Sequence, residues 1–106
     1  MVYDITGPMF FGAADKIPHM DRETDKNVLI LRMRAVPALD ITALNGLKRL
    51  WEECRRKGIR VVFSHVNEQP MSVFRKSGLL EDVGEENFQP NIDAALERAV
   101  ALRKKQ

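Results

Sequence analysis

Val28-Leu-Ile-Leu31 is an unbroken apolar run, and the chain leaves it through a short loop that turns into a helix at Asp40. A strand that is apolar on both faces must be covered on both faces, which requires a sheet with other elements layered on it. The following helix, expected over 41–57, fits that requirement. Leu44, Leu47, Trp51 and Cys54 recur at helical spacing and form one apolar stripe. Asp40 is suited to cap its start, Arg55-Arg56-Lys57 suits the negative end of its dipole, and Gly58 supplies its stop.

The junction itself, Pro37-Ala-Leu-Asp-Ile-Thr-Ala-Leu-Asn-Gly46, is the most informative stretch for function. A strand-to-helix turn presents free backbone N–H groups and the positive end of a helix dipole, and so suits an anion, a phosphate or an acidic partner. Two readings of Asp40 and Thr42 are open from spacing alone. One is a helix cap with a first-turn hydroxyl. The other is a regulatory position at which phosphate on Thr42 would be stabilised by the dipole and would alter a docking surface.

The rest of the chain alternates strand and helix. Val2–Thr6 reads as a strand ending at the Gly7-Pro8 turn, and Phe10-Phe11-Gly12 as a further short extended piece. A helix over 13–20 is interrupted by Pro18. Ile59–Ser64 is a second buried-type strand. A short helix is predicted from near Pro70 to Gly78 with Met71 and Phe74 inward, then a brief strand over Leu79–Val83. The last helix is expected from about Pro90 to Arg103, with Ile92, Ala95, Leu96, Ala99 and Val100 on one face. This alternation argues for an α/β sheet layered with helices.

With 106 residues, the chain has room for one domain around one core. Seventeen basic residues against fifteen acidic ones leave +2, too little to argue for nucleic acid as a partner. The single Cys54 has no partner for an internal disulfide and fits a reducing compartment. No apolar run approaches the roughly 20 residues of a membrane span. Because Met1 leads almost directly into the first strand, we expect the chain to be cut from a longer polypeptide.

The remaining chemistry-bearing residues point away from catalysis. His19 and His65 lie far apart and make no metal signature with Cys54. Ser64-His65 follows a strand, where α/β proteins often place sites, but no motif supplies a nucleophile and an orienting acid. The basic clusters Lys48-Arg49, Arg55–Lys57, Arg75-Lys76 and Arg103–Lys105 read as solvated helix faces and helix ends. A surface for anionic lipid headgroups is the other reading of these clusters.

Taken together, several segments resemble the STAS domain, found in anti-sigma-factor antagonists and in the cytoplasmic tails of SulP-type anion transporters. They are the strand Val28–Met33, the turn Leu39-Asp-Ile-Thr-Ala-Leu44, the strand Val61-Val-Phe-Ser64 and Phe74-Arg-Lys-Ser-Gly-Leu79. In the antagonists the matching turn reads Asp-Ser-Ser-Gly, and its second serine is phosphorylated; here Thr42 takes that place and Ala43 replaces the glycine. Ile5-Thr-Gly-Pro-Met-Phe-Phe-Gly-Ala-Ala-Asp-Lys-Ile17, Val36-Pro-Ala-Leu-Asp40 and Asn67-Glu-Gln-Pro70 resemble the transporter branch.

The resemblance implies a mixed, mostly parallel sheet of four to five strands, with helices mainly on one face, forming a single domain over 1–106. It implies a non-catalytic, cofactor-free regulatory and interaction domain of a SulP-type sulfate or related anion transporter, on the cytoplasmic side of the plasma membrane. Its partners would be the transporter's transmembrane domain and cytoplasmic regulatory proteins. Asp40, Ile41 and Thr42 are the expected regulatory or partner-binding residues. The alternative is a free-standing antagonist switched by phosphorylation at Thr42.

Overall fold

Strand follows strand in chain order across the sheet of the computed structural model, which describes residues 2–4 and 28–104. β1 (Val2–Asp4), β2 (Val28–Arg32), β3 (Arg60–Ser64) and β4 (Phe88–Gln89) lie side by side in that order. Every pairing among the described residues is parallel, with Val2 opposite Ile30, Ile30 opposite Val62, and Phe63 opposite Phe88. The segments 5–17 and 13–20, with Phe10, Phe11 and His19, lie outside the described residues.

Among the described residues the helices are α1 (Ile41–Arg56), α2 (Glu68–Ser77), α3 (Leu79–Val83) and α4 (Ile92–Lys104), and a 3-10 turn spans Glu85–Asn87. Parallel strands need a crossover between them, and α1 supplies it between β2 and β3. Alternation along the strands divides the core in two. Leu29, Leu31, Val61 and Phe63 face Leu44, Leu47, Leu50, Cys54, Phe74 and Leu79 of α1, α2 and α3. Val28, Ile30 and Val62 face Ala95, Ala99 and Leu102 of α4. Among the described residues, α1, α2 and α3 therefore share one face, and α4 covers the other.

Two local expectations change. Leu79–Val83 is a helix rather than a strand. Gly78, with φ of 85°, ends α2 in a left-handed conformation, and the chain re-enters a helical turn at once. Leu79, Leu80 and Val83 then pack on one core cluster, whereas a strand would turn the adjacent Leu79 and Leu80 to opposite faces. The fourth strand is the two-residue Phe88–Gln89 instead. On α4, Ala95, Ala99 and Leu102 form the buried seam, whereas Leu96 and Val100 are exposed. Alanines at the seam have little side chain to hold helix and sheet apart, so the leucine and valine one position on turn outward.

Ser64, at the end of β3, is buried, and its hydroxyl lacks a hydrogen-bond partner. A buried unpaired polar group costs about 1–3 kcal/mol. Ser64→Ala is therefore expected to raise the unfolding free energy by about 1 kcal/mol, read as a higher urea midpoint. A lower midpoint would mean that the hydroxyl has a role in the native state.

Candidate functional site

Asp40, Ile41 and Thr42 come together as one exposed corner at the carboxyl edge of the sheet. Asp40 adopts an extended conformation and caps α1: its Oδ1 accepts from the Ala43 N–H at 2.8 Å, and its carbonyl accepts from the Leu44 N–H at 2.9 Å. The two N–H groups before these, of Ile41 and Thr42, fall where an α-helix offers its own backbone no acceptor. Ile41 is 68% exposed, the most exposed of the large apolar side chains among the described residues. Thr42 is exposed as well.

The loop leading to this corner is held from below and from the side. Met33, Val36 and Leu39 are buried in the core, while Pro37 and Ala38 between them stay in solvent. The Met33 N–H donates to the Ser64 carbonyl at 2.9 Å, and the Val36 N–H to the Met33 carbonyl at 3.0 Å. Two side chains at the start of α2 complete the support. Asn67 Nδ2 donates to the carbonyls of Val36 at 2.9 Å and Arg34 at 3.2 Å. Gln69 Oε1 accepts from the Leu39 N–H at 2.7 Å, and its Nε2 donates to the Leu39 carbonyl at 3.4 Å. These amides stand in for a neighbouring strand, giving irregular backbone the partners it needs.

Sequence reasoning missed the supporting pair as a functional unit, although Asn67-Glu-Gln-Pro70 stood out as a motif. The partners are some thirty residues apart along the chain, and nothing local signals such a contact. Next to them His65 takes a left-handed φ of 54°, and its N–H donates to the Gln89 carbonyl at 3.0 Å. His65 is exposed, and it lines a cleft of about 480 Å³ with Asn67, Glu68, Met71, Phe88 and Pro90. Among the described residues no three His, Cys, Asp or Glu side chains gather to hold a metal ion. Burial pushes the Cys54 thiol up to about 11, so at neutral pH it stays protonated and unreactive. Among the described residues no helix is long and apolar enough to cross a membrane.

Known proteins place this arrangement. The sequence profile of the STAS domain family matches residues 1–95. Sulfate transporter 4.1, chloroplastic, from Arabidopsis thaliana is 34% identical over 77 residues, which are 72% of this chain and 11% of that protein. The solved structure of a SulP transporter STAS domain from Vibrio cholerae superimposes with a TM-score of 0.84 at 33% identity, covering 99% of this chain and 84% of that one. A sulfate transporter family protein from Wolinella succinogenes superimposes with a TM-score of 0.81 at 36% identity, covering 99% of this chain and 87% of that one. The chain spans 11–17% of the length of the curated relatives it matches, each named as a sulfate transporter, one of them as probable and one as putative. By this match of profile, sequence and structure, the chain belongs to the STAS domain family.

Proposed function

We propose that this chain is a single cytoplasmic assembly and regulatory domain of a SulP-type sulfate or related inorganic-anion transporter, and that it is not itself a catalyst. The observation that carries the reading is the 33% identity to a SulP transporter STAS domain along nearly the whole chain. The geometry supports an interaction role. A large apolar side chain, Ile41, stands in solvent between an acid and a hydroxyl, on backbone fixed by Asn67 and Gln69. A rigid apolar contact with a polar rim is what a protein partner needs. In this reading the partners are the transporter's own membrane domain and regulatory proteins of the cytoplasm.

Fractionation of source cells, probed with an antibody against the domain, tests the reading. The expected band is several times larger than the 12.1 kDa of this chain, stays with the plasma membrane and is released only by detergent. A freely soluble band near 12.1 kDa would overturn it. The exposed Thr42 at a helix start would then favour the antagonist reading, in which a cognate kinase and ATP label that residue.

The site is tested separately. Asp40→Ala removes the cap and is expected to cost about 0.5–2 kcal/mol of stability. Transport by the full-length protein should fall in Asp40→Ala and Thr42→Ala beyond what their melting temperatures and protein levels explain. Unchanged transport at equal levels in both would remove these residues from the site.

A further inference from the structure

Both ends of the described chain lie at one edge of the sheet. β1, β2 and β3 run parallel, so Val2 and Arg60 mark the same amino edge. α4 starts beyond β4, at the carboxyl edge, and extends about 20 Å at 1.5 Å per residue. It packs along strands about 16 Å long, which carries Arg103 and Lys104 back to the amino edge. α1 makes the same return, ending at Arg56 just before β3 begins.

Positive charge gathers at this edge. Arg55, Arg56 and Arg60 are exposed, and Lys57 is half-buried. The acids on the same helix turns or in the adjoining cleft are Glu52, Glu53 and Asp82. Of these, Glu53 is bonded to Arg56 and lies 3.5 Å from Lys57. The Arg56 guanidinium holds the Glu53 carboxyl below the usual carboxylate range, so this pair stays charged. A cleft of about 450 Å³ opens among Trp51, Arg55, Ile59, Arg60 and Asp82. Trp51 is half-buried on its wall, with the Arg55 guanidinium 5.6 Å from the ring centroid. An indole flanked by cations is suited to the headgroup level of a bilayer.

We propose that the amino edge is a lipid-facing surface, at which Arg55, Arg56, Lys57 and Arg60, with Trp51 beside them, contact anionic phospholipid headgroups. The inference rests on the transporter reading, which puts a bilayer next to one end of the chain. Because both ends lie at this edge, a connection through either one presents the same residues to the membrane.

The test uses the 106-residue chain and vesicles of equimolar phosphatidylglycerol and phosphatidylcholine at low salt. Cosedimentation and a blue shift of emission from Trp51, the single tryptophan, are expected, and both should vanish with phosphatidylcholine alone. Each basic residue near an anionic surface contributes about fivefold to binding, so Arg55→Gln/Arg56→Gln/Arg60→Gln should weaken it by about a hundredfold. Arg34→Gln removes one exposed positive charge on the loop at the opposite, carboxyl edge and should weaken binding by much less than about fivefold. Absence of binding by the parent chain, or equal loss in both variants, overturns the proposal. Fractionation judges the transporter reading independently. A membrane-anchored parent whose domain ignores these vesicles sinks only the lipid surface, and a soluble protein that binds them sinks only the transporter reading.

Discussion

Phe63→Ala is expected to lower the unfolding free energy by about 3–5 kcal/mol, out of the roughly 5–15 kcal/mol that holds a domain of this size together. Phe63 is fully buried in the middle of β3 and is shared by three elements. Its ring stacks on Phe88 of β4 at 4.7 Å with the planes 3° apart, and meets Phe74 of α2 at 5.4 Å in a tilted arrangement. Phe74 and Phe88 close the triangle at 5.8 Å. Aromatic pairs of this kind add about 0.5–1.5 kcal/mol each beyond the area they bury. A cavity at Phe63 removes two of the three pairs at once.

β4 pairs with β3 over only two residues, so it depends on this cluster more than on its ladder. Phe88 is half-buried, and Phe88→Ala should therefore cost less than Phe63→Ala. Urea titrations of both variants, followed by far-ultraviolet circular dichroism, give the comparison. A loss below about 1 kcal/mol at Phe63, or a larger loss at Phe88, would show that the rings are not the joint between sheet and helices.

What the amino-acid sequence revealed follows from how local each signal is. β2, β3 and α1 were legible because their evidence lies within each segment: unbroken apolar runs in the strands, and in the helix a three-four-three spacing with a capping acid and a stopping glycine. The cap of Asp40 on Ala43 was legible for the same reason. Leu79–Val83 is ambiguous in sequence because a five-residue apolar-rich piece does not distinguish strand from helix; the left-handed Gly78, which both ends α2 and starts α3, decides. β4 was invisible because two residues carry no period. The face of α4 is narrower than the sequence suggests: Ile92, Ala95 and Ala99 pack on the sheet as expected, while Leu96 and Val100, which continue the same helical stripe, turn outward and Leu102 joins the seam. The sheet selects the narrower seam. At the site, Asp40, Ile41 and Thr42 could be placed from sequence, while the amides that hold them could not.

Those amides carry the second large effect. Asn67→Ala/Gln69→Ala removes four hydrogen bonds, at 2.7, 2.9, 3.2 and 3.4 Å, that tie the loop over 34–39 to the start of α2. Neutral bonds of this type contribute about 0.5–1.5 kcal/mol each, and a buried donor left unpaired costs more than its bond was worth. The Leu39 N–H is the exposed point of this scheme in an energetic sense, because the Leu39 side chain stays pinned in the core and keeps the amide from turning to water. The double variant should lose about 2–4 kcal/mol.

A general loss of stability would speed hydrogen exchange everywhere, so the readout must be local. Exchange at the Leu39 amide should accelerate well beyond that of Val62 in the central strand, and the start of α1, which follows Asp40 directly, should fray with it. Gln69→Glu keeps an acceptor for the Leu39 N–H and loses only the long donation to the Leu39 carbonyl, so it should restore most of the protection at Leu39. If exchange at Leu39 rises no more than at Val62 in the double variant, the core side chains alone hold the loop. The corner at Asp40, Ile41 and Thr42 would then owe its shape to Val36 and Leu39 rather than to Asn67 and Gln69.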